Sequence, residues 1–307
     1  MPILLTSEDV NEVFDDVAFM EERFSDVQAL LLGHGPAPGL ETKYPLPSSH
    51  CRLTVRPYAP GPFGLCLVVR LGPAPPRSAA AGVELLIADD DGSLLGIADA
   101  DTLDGWRAAI PSGLAARYLA PPSPRSLALL GDGEWAWSSL VVLHHALPSL
   151  DEFHIVGRDP SRARELAAAV ARRTGLTVHA SDDVRAAVRR ADIVAVTGGH
   201  RTIPVEWLAA GALLIDQAAA PTEPAPAVRR ITLSPGDDYG TADVPHGPMP
   251  LAEIVAGRAL PRGAGHDVVH YQGGELSGWS AMAATAGLGQ AWHRDVGTPV
   301  RLGGGSR

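Results

Sequence analysis

From residue 126 onward the chain alternates short apolar runs with stretches of helical periodicity. Runs of strand length occupy residues 126–130, 153–156, 176–179, 193–197, 212–215 and 230–233. Between them, 161–173 and 184–190 repeat their apolar positions at helical spacing. Such alternation predicts a parallel sheet covered by helices on both faces. The N-terminal part has another pattern. A short strand at 3–5 leads into Thr6 and Ser7, either of which can cap a helix whose first turn carries Glu8 and Asp9. Residues 50–98 are rich in strand-like runs separated by Pro and Gly, and Asp89-Asp90-Asp91-Gly92 reads as a hairpin turn within them. Residues 103–120 read as a helix in which Pro111 should cause a kink or a fresh start. The Pro-rich stretch 218–228 reads as a loop, and the Ala-rich stretch 276–293 as a last helix.

Composition narrows the class. A chain of 307 residues, 46% hydrophobic, can bury cores for two domains. A net charge of −10 argues against nucleic acid or an anionic membrane as partner. No apolar run approaches the ~18 residues of a membrane span, and the opening MPILLTSEDVNEVF lacks the regions of a signal peptide. A cytoplasmic protein is expected. The two cysteines, Cys51 and Cys66, match no zinc spacing, so no metal site is expected. Lys43 is the only lysine, so any chemistry that needs one must use it or proceed without.

The most informative segment is 126–168. Its first strand ends on Gly131-Asp132-Gly133-Glu134-Trp135-Ala136; a helix-compatible stretch follows, then a second strand ending on Gly157-Arg158-Asp159. Strand, G-x-G-x-x-A, helix, strand is the dinucleotide-binding fingerprint in its required context. Gly131 makes the tight turn, Gly133 lets backbone approach a pyrophosphate, and Ala136 keeps the helix close to the sheet. The helix N-terminus offers free N–H groups to the phosphates. At the tip of the second strand Arg158 comes first, with Ser161 and Arg162 as further donors, while Asp159 caps the helix that starts at Pro160. An Arg there suits a ribose 2′-phosphate, so the sequence favours NADP(H), with NAD(H) as the alternative. Thr197 and Gly198, ending the strand at 193–197, join the candidate cofactor residues. The expected fold class is α/β: a Rossmann-type doubly wound sheet over 121–275, with a second, strand-rich α/β domain from 1–120 completed by 276–307.

Several further segments, in order, carry a resemblance. They are Asp91-Gly92-Ser93-Leu94, Trp106-Arg107-Ala108-Ala109, Ala116-Arg117-Tyr118-Leu119-Ala120, the fingerprint, Ala191-Asp192-Ile193-Val194, Glu206-Trp207-Leu208 and 251–257 (LAEIVAG). In that order they resemble the ornithine cyclodeaminase/mu-crystallin family over nearly the whole chain. The resemblance implies a two-domain, usually dimeric protein that binds NAD(P)(H) and a small amino, imino or 2-oxo acid. The first domain would then serve substrate binding and dimerisation. The match of Arg107 to the family's R-T-A-A arginine makes it the candidate for gripping a substrate carboxylate; Arg117 has a structural role. The late segment that approaches the nicotinamide reads Gln272-Gly273-Gly274, which adds Gln272 and Gly274 to the cofactor candidates.

The departures fall on the substrate side. Where the family has a G-x-K lysine this chain has Gly64-Leu65-Cys66, and no acid follows Asp216-Gln217-Ala218-Ala219-Ala220. A standard ornithine cyclodeaminase is therefore not expected. Hydride transfer needs orientation and a proton source but no protein nucleophile. Candidate acids are His246, Asp237 or the adjacent Asp238, and His270, each of which also reads as an ordinary surface or buried residue. The expectation is an NAD(P)H-dependent reductase or dehydrogenase acting on an amino-acid-derived imine or 2-oxo acid. The alternative is a nucleotide-bound small-molecule-binding protein with little catalysis.

Overall fold

The computed structural model describes residues 1–34, 42–45, 51–61, 64–73, 82–88, 91–198, 203–217, 228–233, 248–263, 267–274 and 276–301. The chain forms two compact units. One comprises Met1–Arg23, His34–Arg107 and Ser277–Arg307; the other comprises Phe24–Gly33 and Ala108–Leu276.

The first unit is built on a seven-stranded sheet. Its strands are β1 (Ile3–Leu5), β2 (Thr42–Pro45), β3 (Cys51–Gly61), β4 (Gly64–Pro73), β5 (Val83–Ala88) and β6 (Leu94–Asp99), closed at one edge by Thr298–Pro299. β1 pairs parallel to β6, and β6 to β2 form an antiparallel meander through β5, β4 and β3. The β5–β6 hairpin turns at Gly92 (φ +69°). Helix α1 (Ser7–Phe14) starts in a capping box: Thr6 Oγ1 accepts from the Asp9 N–H at 3.3 Å, and Asp9 Oδ2 accepts from the Thr6 N–H at 2.8 Å. α1 contributes Phe14 to the core, stacked on Trp106 with centroids 5.6 Å apart. The Trp106 indole N–H donates to Asn11 at 2.9 Å, so this buried ring also satisfies its polar edge.

Helices α2 (Val17–Leu31) and α3 (Ala100–Leu119) are each shared between the units. Of the two outcomes expected at Pro111, the fresh start does not occur: α3 runs continuously through it. Pro111 has no N–H for the carbonyl of Arg107, four residues earlier. The buried indole of Trp279, on the C-terminal helix (Trp279–His293), donates to that carbonyl at 2.9 Å instead. Trp279→Phe should therefore lower stability by about 1–3 kcal/mol, the cost of orphaning a buried carbonyl. Urea unfolding would show this as a lower midpoint, partly recovered by adding Pro111→Ala.

The second unit is the parallel sheet that the sequence predicts. In chain order it comprises β7 (Ser126–Leu130), α4 (Trp135–Ala146), β8 (Glu152–Val156), α5 (Pro160–Thr174), β9 (Thr177–Ser181), α6 (Val184–Arg190), β10 (Ile193–Val196) and β11 (Leu213–Asp216). Then come β12 (Arg229–Thr232), β13 (Met249–Pro250), α7 (Leu251–Val255) and β14 (Val269–Gln272). The eight strands lie in the order β13-β12-β14-β11-β10-β7-β8-β9, every pair parallel. β7 and β10 are buried at every position, as strands covered on both faces must be. Ala128, Leu130, Val194, Val196 and Leu214 pack with Ala187 and Val188 of α6, and buried α4 supplies Leu140, Val142 and Leu143. The chain leaves β7 for β8 and β9 on one side, then returns to place β10 and β11 on the other. The carboxyl ends of β7 and β10 therefore flank the point where strand order reverses, where doubly wound sheets hold their ligands. Among the described residues no helix is long and apolar enough to cross a membrane.

Candidate functional site

At that reversal point the chain leaves β7 through Gly131, whose φ of +140° lies outside the range of other residues. A Cβ there would stand 2.2 Å from Thr197 Oγ1 and 3.2 Å from the Gly198 N. The Gly131 N–H donates to the Val156 carbonyl at 2.9 Å, and the Thr197 N–H donates to the Leu130 carbonyl at 3.0 Å. The structure thus brings Gly131, Thr197 and Gly198 together, all at one end of the sheet. Gly133 differs from Gly131: a Cβ added there meets no protein atom within 4 Å. Glu134, at the cap of α4, makes no capping bond with its side chain; the Ala136 N–H donates to the Gly133 carbonyl at 3.0 Å, and no side chain of the cap competes for the other N–H groups of the first turn. Ala136 is fully buried against the sheet.

Beside this turn lies the tip of β8. Asp159 caps α5 by accepting from the Ser161 N–H at 2.8 Å, with Pro160 in the first turn. Arg158 is exposed, and Arg162 approaches Glu134 to 3.6 Å, also at the surface. Asp132 reaches across from the glycine turn, and its Oδ2 accepts from the Asp159 N–H at 2.8 Å.

The carboxyl ends of β11 and β14 add buried polar groups. Asp216 stands opposite Gln272 in the ladder, and the Gly273 N–H donates to the Asp216 carbonyl at 2.8 Å. Gln217 is buried; its Oε1 accepts from Ser139 of α4 at 2.5 Å, while its Nε2 has no acceptor among the described residues. Gln272 is buried as well, and its Oε1 has no donor among the described residues. Gly274, next but one, is exposed. His270 lies inside β14 with Arg230 opposite it, and its Nε2 is 4.0 Å from Asp216 Oδ2. Burial first, then the Arg230 charge, push its imidazole down to about 4. It is neutral at pH 7 and has no imidazolium proton to give.

Arg107 belongs to the first unit and is committed there. Its Nη1 donates to Glu84 Oε2 at 2.9 Å and to Asp104 at 3.1 Å; its Nη2 donates to Glu84 Oε1 and to the Ser280 carbonyl, both at 2.5 Å. Four of its five N–H donors are thereby used, and the fifth, on Nε, is buried without an acceptor among the described residues. Burial opposes the charge, but Glu84 and then Asp104 outweigh it and hold the guanidinium above its usual range. Arg117, in the second unit, lies over the Phe24 ring 4.2 Å from its centroid. Asp237, Asp238, His246 and the stretch at Ala220 lie outside the described residues, as does the side chain of Cys66.

The sequence reading did not find Glu84, Asp132 in its position at the β8 tip, or Ser139 and Gln217. Glu84 had a signal: in the alternating run VELLIA it falls on the same inward face as Leu86 and Ala88.

Residues 74–225 match the sequence profile of the Ornithine cyclodeaminase/mu-crystallin family. The chain belongs to that family. A ketimine reductase mu-crystallin of Macropus fuliginosus is 32% identical over 125 residues, 40% of this chain, and the chain spans 38% of that relative's length. In structure the chain is similar to Thermococcus litoralis Δ1-pyrroline-2-carboxylate reductase in complex with NADH and L-proline, with a TM-score of 0.76 and 20% identity over 97% of this chain and 100% of that one. It is also similar to the iminosuccinate reductase of Paracoccus denitrificans in complex with NAD+, with a TM-score of 0.74 and 15% identity over 98% and 99% of the two chains. At these identities the likenesses establish the fold: a Rossmann-like parallel sheet and a second, strand-rich sheet.

Proposed function

We propose that this chain is an NAD(P)H-dependent reductase or dehydrogenase of a small imine or carbonyl compound derived from an amino acid. The observation that carries this is the Gly131–Ala136 turn at the point where strand order reverses, with open space over Gly133 and an uncapped helix N-terminus behind it. The residues present fit a nicotinamide dinucleotide. Gln217 offers a buried donor and Gln272 a buried acceptor on neighbouring strand ends, which is the complement of a carboxamide. When bound, the reduced nicotinamide supplies the hydride. The chain's own part is to hold the diphosphate on the Gly131–Ala136 backbone and the start of α4, and to orient the ring through Gln217, itself fixed by Ser139. The reductases among the similar proteins support the reading.

Arg107 supports a narrower view of the substrate. With four donors committed to protein oxygens it offers no fork to a substrate carboxylate, so we assign it the role of joining β5, α3 and the C-terminal helix. The same observation favours a second reading, a nucleotide-bound binding protein with little turnover. Titration of the purified protein with NADH and with NADPH, followed by nicotinamide fluorescence, tests the shared premise. Saturable micromolar binding of at least one is expected, and failure of both to bind would overturn both readings. Oxidation of the bound cofactor by imines or carbonyl compounds then separates the reductase from the binding protein.

A further inference from the structure

In a doubly wound sheet a carboxylate at the tip of the second strand of the fingerprint accepts from the ribose hydroxyls and repels a 2′-phosphate. Here β8 ends on Val156 and the residue at its tip is Gly157, which has no side chain to offer. Gly157 is not among the glycines with positive φ, so its backbone does not exclude a side chain. Asp132 does. A Cβ on Gly157 would lie 2.5 Å from Asp132 Oδ2 and 2.7 Å from both Cβ and Cγ of the same residue. The volume that a side chain at the β8 tip would fill is thus taken by the carboxylate of a residue 25 positions earlier, in the glycine turn.

The placement is fixed. Asp132 Oδ2 accepts from the Asp159 N–H at 2.8 Å, which ties the glycine turn to the loop after β8. Neither a salt bridge nor any second hydrogen bond to Asp132 is found among the described residues, so no cation among them neutralises its negative charge and Oδ1 keeps its acceptor capacity toward them. The cations nearest in sequence do not cancel it: Arg158 is exposed, and Arg162 approaches Glu134.

Given the dinucleotide site proposed above, on which this inference rests, we infer that Asp132 is the residue that selects the dinucleotide, accepting from the adenosine ribose 2′-hydroxyl and so favouring NAD(H) over NADP(H). The carboxylate comes from the glycine turn and occupies the volume of a Cβ at the β8 tip. Arg158 alone, read from the sequence, favours the opposite choice. The geometry puts a fixed anion at the strand tip and leaves the arginine at the surface.

The test is a set of fluorescence titrations with NADH and NADPH on three proteins: the parent, Asp132→Asn, and the double variant Asp132→Gly/Gly157→Asp, in which glycine also removes the Cβ that would crowd the new side chain. The parent should bind NADH more tightly than NADPH. Asp132→Asn keeps an acceptor for the Asp159 N–H but removes the charge. Its NADH affinity should fall about tenfold, as for loss of a charged hydrogen bond, and its NADPH affinity should rise. The double variant returns a carboxylate to the vacated volume from the strand side and should restore the NADH preference, an outcome that a merely structural role for Asp132 would not produce. A parent preferring NADPH, or an Asp132→Asn variant with an unchanged NADH-to-NADPH ratio, would overturn the inference and leave the dinucleotide site standing. Binding of neither nucleotide by the parent would overturn the site itself.

Discussion

Glu84→Ala should destabilise the protein by about 3–5 kcal/mol, the usual cost of leaving one partner of a buried ion pair alone. Glu84 is fully buried, and both its oxygens take N–H groups of Arg107, whose side chain is 6% exposed. Removing the carboxylate strands a guanidinium that has Asp104 and one carbonyl left to bond. Urea unfolding of Glu84→Ala, of Arg107→Met and of the double variant gives the comparison. The double variant should be more stable than Glu84→Ala, because an apolar side chain in place of the pair leaves no charge uncompensated. A Glu84→Ala midpoint within error of the parent would show that the pair does not hold this unit together. Small carboxylates offer a second check: formate should raise the midpoint of Glu84→Ala and leave the parent unchanged, since only the variant has a free fork for it.

This ion pair bears on function as well as stability. A substrate carboxylate could reach the Arg107 fork only by displacing Glu84, which would itself then be buried without its main partner. The second unit, with its glycine turn, stands in contrast. Its turn, strand order and open helix end all remain compatible with a dinucleotide.

What was legible in the sequence followed from local rules. The run at 126–130 became β7 with the same limits, and Asp159 before Pro160 became the cap of α5, because each depends on neighbours within a few positions. The Thr6 cap is of the same kind. The unforeseen features join residues far apart. The carbonyl that Pro111 leaves without its helix donor was taken by Trp279, and Arg107 was claimed by Glu84, 23 positions earlier. Asp132 fills the volume beside Gly157. β14 was not foreseen as a strand because VHYQ carries His and Gln at buried positions; it lies between β11 and β12, where the ladder and not composition decides.

Gly131 and Gly133 should separate under substitution, and the contrast tests the dinucleotide site most directly. Gly131→Ala introduces a Cβ where φ is +140° and Thr197 Oγ1 is 2.2 Å away. The hydroxyl can rotate, but the Gly198 N at 3.2 Å and the backbone angle cannot give way as cheaply. A residue held in such a conformation costs of order 1–3 kcal/mol, so Gly131→Ala should lower the unfolding midpoint and weaken nucleotide binding together. Gly133→Val meets no protein atom within 4 Å at its Cβ. Its midpoint should match the parent's, while its branched side chain occupies the space through which a pyrophosphate approaches the backbone and the N-terminus of α4. A loss of about a hundredfold in NADH affinity, close to 2.7 kcal/mol, is expected at unchanged stability. If Gly133→Val bound NADH as the parent does, the phosphates could not lie over this turn, and the glycines would serve only the bend of the chain.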